Sequence, residues 1–445
     1  MGTTLTSHLR SRPAAVAFVA SALFLAFSYG MLAGLCRWFP SGLYGDALAG
    51  WQSLRDDGDA ATTWYRKTLR QPGPPAIQNP GGAHPGWNLV TEIDADELCV
   101  RLIDLDGTEL RHWALDWFQL WPDATHIPDR LRPRSQPGTH INGATLLPEG
   151  DLVFNFEHLG LVRVDWQGKV VWRVPYQTHH SVWRAEDGRL WVCGQREHTE
   201  PSPRLPNLRP PFVEDTILVV HPSGRIEREW SVLDLLLQNG RQGLLAMSNR
   251  DDFDSSGSGD ITHLNHVEPF PTRLRPGFFQ PGDVLVSLRN IHTVLVFDSA
   301  TGQIKLQSTG QFVRQHDPHF VDGNHLSVFD NNTAAPALPL PQDLTQQKGR
   351  AQSRIAILHG PSLQVQTWFA GTAEQPFYTP ILGRHQWLPN GNLLITDSCA
   401  GRAFELNRNR QIVWWYINYT GPQEISAVEQ VERVPVGHGM RSRAH

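Results

Sequence analysis

Four stretches of this chain place histidine at comparable points: Thr178-His-His-Ser181, Thr262-His-Leu-Asn-His266, Gln315-His-Asp-Pro-His319 and Gly383-Arg-His-Gln386. His180 stands eight residues before Gly188, His316 seven before Gly323 and His385 six before Gly391, so each opens a segment that runs into a glycine turn. Neutral imidazole is a competent nucleophile near pH 7, protonated imidazole is an acid, and imidazoles grouped together hold transition metals. Arg289, in Val286-Ser-Leu-Arg289, adds a planar cation whose fork of donors matches a tetrahedral oxyanion. These residue types suit transfer of a charged group through a nitrogen nucleophile, or a ring of metal ligands, if the fold brings them together. Taken singly among 20 histidines, His140, His292, His319, His325 and His385 read as ordinary hydrogen-bonding residues. Convergence is what makes a site.

The elements that must produce that convergence repeat. Six hairpins share one pattern, an apolar strand, a polar turn and a second strand that often ends in Trp: 102–113, 162–172, 218–230, 295–305, 355–368 and 404–414. Alternating β-branched residues around an Asp, Asn or Gly turn are hairpin chemistry. A second motif precedes most copies, as in Leu147-Pro-Glu-Gly-Asp-Leu-Val-Phe154, Ala185-Glu-Asp-Gly-Arg-Leu-Trp-Val192 and Leu388-Pro-Asn-Gly-Asn-Leu-Leu-Ile395. Four antiparallel strands recurring at this spacing predict an all-β fold, a six-bladed β-propeller spanning 87–436. The first unit lacks an innermost strand, and Ile425–Val434 is an apolar alternating tail that would supply it and close the ring. In such a ring the innermost strands line a channel, and His180, His263 and His316 would face one another at its mouth.

Composition narrows the partners. A net charge of −5 with a pI of about 6.5 leaves no broad basic field for nucleic acid. The four cysteines, Cys36, Cys99, Cys193 and Cys399, form no Cys-x-x-Cys pair, so no zinc or redox motif is signalled and neither metal nor other cofactor is expected. A disulfide among the last three and buried free thiols are both open readings, as are a monomer and a homodimer.

Pro13 to Cys36 is one uncharged apolar run, long enough to cross a membrane. Arg10 and Arg12 before it, against Arg37 after it, place the N-terminus in the cytoplasm and the rest outside. Residues 1–40 are therefore expected to be an uncleaved transmembrane anchor in the inner membrane, with a cleaved signal peptide as the alternative. Residues 41–86 read as a stalk, with a helix from Asp46 to Arg70 and a Pro/Gly linker from Gln71.

Over about residues 130–435 the chain resembles the bacterial arylsulfotransferase family, most specifically at Thr178-His-His-Ser181, Asp260-Ile-Thr-His-Leu-Asn265, Ser287-Leu-Arg289, Gln315-His316 and Leu388-Pro-Asn-Gly-Asn392. The resemblance implies a six-bladed propeller that transfers a sulfuryl group from a phenolic sulfate ester to a phenolic acceptor through a sulfohistidine. Carried over by motif, His316 is the nucleophile, His263 and Arg289 meet the sulfuryl oxygens, and His180, or else His179, assists the phenolic oxygen. Asn265 would orient His263, His385 would line the pocket, and Trp183 or Trp387 would either stack on an aryl ring or pack in a blade core. Here the sequence reads His-His-Ser where the family has His-His-Asp, and Leu288-Arg-Asn-Ile291 where it has Ser-Arg-His-Gln. The alternatives are a silent propeller that binds a sulfated or phenolic ligand or a protein, and a metalloenzyme with His180, His263, His316 and His385 as ligands.

Overall fold

The computed structural model describes residues 11–36, 66–68, 76–94, 97–206, 208, 210–247, 259–333, 352–372 and 375–437. Residues 11–36 are one α-helix whose span Pro13–Ala33 has mean hydropathy 2.0 and could cross a membrane. At about 1.5 Å per residue its 21 residues match the hydrocarbon thickness of a bilayer. The two contact units of the chain divide after Thr62, and the second is the propeller.

The propeller is built from six antiparallel four-stranded blades, two of which carry one further short strand. Its innermost strands are Val428–Val434 (blade 1), Gly143–Leu146 (blade 2), Gln177–Arg184 (blade 3), Leu264–Pro269 (blade 4), His316–Phe320 (blade 5) and Arg384–Trp387 (blade 6). The outer pair of every blade is one of the six hairpins visible in the sequence. Their turns show why. Asp104 Oδ1 accepts from the amides of Asp106 and Thr108, and Asp165 Oδ1 from those of Gln167 and Lys169. Gly107 and Gly168 supply the left-handed residue, each at φ 89°.

Blade 1 takes its innermost strand from the far end of the chain: Val428–Val434 pairs antiparallel with Trp87–Asp94. Six apolar clusters then lie one in each gap between neighbouring blades, including the gap between blades 6 and 1, where Val428 and Val431 meet Leu394 and the fully buried Trp414. At roughly 1.5–3 kcal/mol per large apolar side chain buried, each gap depends on both of its blades. With this strand in place every blade has its innermost strand, and the two ends of the propeller are tied together in blade 1.

Two expectations change. Most of the helix expected over 46–70 lies outside the described residues, but Arg66–Thr68 is a strand paired with Glu424–Ser426. The end of the expected stalk also belongs to the propeller: Ile77–Gln78 pairs with the outermost strand of blade 6, and the His84 amide donates to Glu405 Oε1 at 2.7 Å. Proline and glycine made this segment read as a free linker, whereas tertiary contacts hold it. Between blades 3 and 4 the chain forms a helix, Val232–Gln238, capped by the Ser231 side chain, which accepts from the Asp234 amide at 3.1 Å. Cys99, Cys193 and Cys399 are buried free thiols.

Candidate active site at the channel mouth

The innermost strands of blades 3, 4 and 5 are each broken by a β-bulge at the same level: between His179 and Val182, Leu264 and His266, and His316 and His319. At these breaks His180 and His263 adopt φ 51°, Asp317 48° and Arg314 54°, a left-handed conformation that side chains other than Gly and Asn rarely take. Bulges re-aim side chains, and strained backbone concentrates at functional positions. The result is convergence. The His180 ring centroid lies 4.9 Å from that of His263 and 6.4 Å from that of His316. Neighbouring blades hold the bend in place: Asn155 Nδ2 donates to the His180 carbonyl at 2.8 Å, and a Cβ on Gly143 would come within 2.0 Å of that oxygen.

His316 is buried, and its Nδ1 faces two acceptors, Asn331 Oδ1 at 2.7 Å and the Arg314 carbonyl at 3.1 Å. Asn331 cannot present its amide nitrogen instead, because Nδ2 donates to the carbonyls of Thr379 and Leu382, each at 2.8 Å. Nδ1 therefore carries the proton and Nε2 keeps its lone pair. Burial, and next the Arg289 guanidinium, lower the pKa of His316 to about 3, so the ring is neutral at physiological pH. Gln315 anchors the strand from the other side, donating through Nε2 to Ser287 Oγ, Leu288 O and Thr293 O at 3.0–3.2 Å.

Arg289 donates from Nη1 to His263 Nε2 at 2.9 Å, and the Asp260 carboxylate accepts from His263 Nδ1. His263 is thus the middle of an Asp260–His263–Arg289 chain, and Asp260, not Asn265, orients it. Asn265 Nδ2 donates to the Gln315 carbonyl at 2.8 Å and ties blade 4 to blade 5.

His179 lies behind His180 rather than beside it. The two Nδ1 atoms are 2.9 Å apart, and His179 Nε2 is 3.5 Å from Asp215 Oδ1. Burial lowers the proton affinity of both rings. For His179 the Asp215 carboxylate more than offsets this and leaves its pKa raised, while His180, beside His263 and His179, falls well below the usual range. The opposite shifts favour His179 as the ring that holds the proton between them, and His180 Nδ1 also lies 3.2 Å from Glu157 Oε1. The His180 amide also donates to Glu157 Oε2 at 3.0 Å.

A cavity of about 560 Å³ lies beside this cluster, lined by Arg130, Leu131, Leu159, Gln195 and Val213, and it meets the cluster's partners Glu157 and Asp260 rather than His180, His263, Arg289 or His316. That volume suits a small aromatic ligand. A much smaller void touches His180, Asn265, His316, Arg384 and Glu429.

The family model for arylsulfotransferase (ASST) matches residues 143–419, which is more than half of the chain and contains every residue of this cluster. The chain belongs to the arylsulfotransferase family. No curated protein matches it. Among solved structures, a protein of unknown function from Bacteroides caccae is 14% identical with a TM-score of 0.46, covering 78% of this chain and 98% of that one. Virginiamycin B lyase from Staphylococcus aureus is 11% identical with a TM-score of 0.38, covering 79% and 97%. The Dos1 propeller is 8% identical with a TM-score of 0.37, covering 80% and 76%.

Within this chain, His180, His263, Arg289 and His316 come together, with His179 directly behind. His385 does not join them. Its Nε2 bonds Ser327 Oγ at 2.8 Å and its ring lies 4.8 Å from His319. A single metal site made of His180, His263, His316 and His385 is not among the metal-competent groups of the described residues. Trp387 donates to Ser327 Oγ at 3.0 Å and meets Trp368 edge-on at 5.0 Å, and Trp183 packs on His319 at 5.4 Å, so both serve blade packing. Asn331, Asp260 and Asp215 were not legible as site residues. Asp260 had one local signal, its i, i+3 spacing to His263; Asn331 is one of two asparagines ending a strand, and only the fold brings it to His316.

Proposed function

We propose that the protein moves a sulfuryl group from an aryl sulfate ester to a phenolic acceptor through a sulfohistidine at His316. The observation that carries this reading is the fixed tautomer of His316, a neutral buried imidazole whose Nε2 lone pair is left for attack beside Arg289. In the first half-reaction Nε2 attacks sulfur and the bond from sulfur to the aryl oxygen breaks. The departing oxygen takes the Nε2 proton of His180, while His180 Nδ1 takes the proton that His179 Nδ1 holds. In the second half-reaction the acceptor phenol gives its proton to His180 Nε2 while His180 Nδ1 hands its proton back to His179 Nδ1, the phenol oxygen attacks sulfur, and the N–S bond breaks, which restores both histidines and His316. Arg289 meets the sulfuryl oxygens, with Asp260 and His263 holding the guanidinium in place. His179 then acts as proton reservoir and Asp215 as its counter-ion.

The helix at Pro13–Ala33 supports a membrane anchor, and the excess of Arg10 and Arg12 over Arg37 supports a propeller on the outer side of the inner membrane. The test is transfer from a nitrophenyl sulfate to a phenol by wild type and by His316→Ala. Wild type incubated with donor alone should gain one sulfuryl group by intact mass, and His316→Ala should gain none and turn nothing over. Turnover surviving in His316→Ala would remove it from the nucleophile's place.

A further inference from the structure

A second cluster lies around the same channel, and sulfuryl transfer makes no use of it. His266 and Glu268 stand on the innermost strand of blade 4, and Asp317 and His319 on that of blade 5. His266 and Glu268 are each 1% exposed, and neither ring nitrogen of His266 has a hydrogen-bond partner. A buried imidazole with no well-formed hydrogen bond is costly, on the order of 1–3 kcal/mol, and its Nε2, which faces only a carboxylate oxygen at 3.6 Å, points to an absent partner. His266 Nε2 lies 3.6 Å from Glu268 Oε2, and His319 Nδ1 lies 2.8 Å from the same oxygen. One donor atom each from His266, Glu268 and His319 can be chosen within 4.8 Å of one another.

Zinc at roughly 2.0–2.1 Å from nitrogen and oxygen ligands spaces them by about 3.4 Å around a tetrahedron. The 3.6 Å separation is near that edge and long for a hydrogen bond. Beyond the three donors, one carboxylate serves both imidazoles: Asp317 Oδ1 is 3.4 Å from His266 Nδ1, and Asp317 Oδ2 is 3.0 Å from His319 Nε2. A carboxylate on the far nitrogen of each histidine is the usual outer support of a metal-binding imidazole. We propose that His266, Glu268 and His319 hold one divalent transition-metal ion of the zinc class, with Asp317 orienting both imidazoles, and that the ion ties blade 4 to blade 5 next to the residue that follows His316. Two imidazoles and a carboxylate favour zinc or cobalt over calcium or magnesium. The ion replaces the proton shared by His319 Nδ1 and Glu268, so one proton leaves for each ion bound.

The test strips the full-length protein with a chelator and titrates it with Co²⁺, read by visible absorption and a pH indicator, then with Zn²⁺ as competitor. One equivalent should bind with release of a proton and raise Tm by several degrees. Binding should weaken more than about 100-fold in His266→Ala and in the isosteric Glu268→Gln, and about 10- to 100-fold in Asp317→Asn. His316→Ala should bind as wild type does, which separates this site from sulfuryl transfer. Two other groups also have ligand spacing: Glu157, His179 and His180 serve as the control, and Asp317, His319 and His385, which shares His319, is separated by His385→Ala, which should leave binding unchanged. The proposal is overturned if folded wild type binds no stoichiometric Co²⁺ or Zn²⁺, or if binding persists in folded Glu268→Gln and disappears in His179→Ala.

Discussion

Asn331→Ala tests the tautomer of His316 without touching the nucleophile. The substitution removes the 2.7 Å acceptor of Nδ1–H and leaves the Arg314 carbonyl at 3.1 Å as the remaining partner. Losing a buried hydrogen bond with partial compensation costs about 1.5–3 kcal/mol. If that loss falls on the reacting geometry, kcat drops about 10- to 100-fold at tenfold per 1.36 kcal/mol, far less than deleting the imidazole. KM should stay near wild type, because Asn331 lies behind the ring. Steady-state turnover of a nitrophenyl sulfate measures both constants, and a thermal melt reports the loss of the bonds to Thr379 and Leu382. Asn331→Asp adds a sign. A carboxylate at Nδ1 favours imidazolium, raises the His316 pKa from about 3, and should move the acid limb of kcat/KM to higher pH. A folded Asn331→Ala enzyme with kcat within about threefold of wild type, or one altered only in KM, would refute the assigned tautomer.

His179→Gln should slow aryl sulfates whose phenols have high pKa about 100-fold and nitrophenyl sulfate only a few-fold, since a good leaving group needs little proton. Because Asp215 raises the pKa of His179, wild-type kcat on a poor leaving group should fall as pH rises through the titration of this ring, and this limb should vanish in His179→Gln. Arg289→Ala should lower kcat/KM roughly 10²- to 10³-fold, with Arg289→Lys recovering only part of it. For stability, the buried neutral His316 binds a proton in the unfolded chain near pH 6.5 and in the folded chain only near 3. Stability should therefore fall as pH drops through this window, by up to about 1.4 kcal/mol per pH unit from this residue. His316→Gln, compared by urea midpoint at pH 7 and pH 4, should lose less than wild type. Deleting residues 428–445 should give an aggregating or unfolded product, because it removes the inner strand of blade 1 and, with it, Val428 and Val431 from the core between blades 6 and 1.

Local chemistry was enough to read much of this protein. Alternating apolar residues around Asp-Gly turns specify a hairpin by themselves, so all six outer hairpins were visible, and an uncharged apolar run specifies a helix of bilayer length. His263, Arg289 and His316 were legible because each stands where a strand of a counted repeat begins or ends, whereas His180 falls at the break within its strand. Other features depended on atoms distant in sequence. The stalk-like segment at Ile77 pairs with a strand more than 300 residues away, which its own composition contradicts. Asp260 took the part assigned to Asn265 because a bulge aims His263 at one and not the other. His385 shares its strand position with His180 and His316, yet it hydrogen-bonds Ser327 and packs on His319 instead of the nucleophile. Repeat position by itself therefore determined which histidines could meet. The tautomer of His316, the proton on His179 and the second histidine cluster were decided only when three bulged strands fixed which nitrogen faces which oxygen, because hydrogen-bond partnership is a property of packed neighbours and not of the chain order.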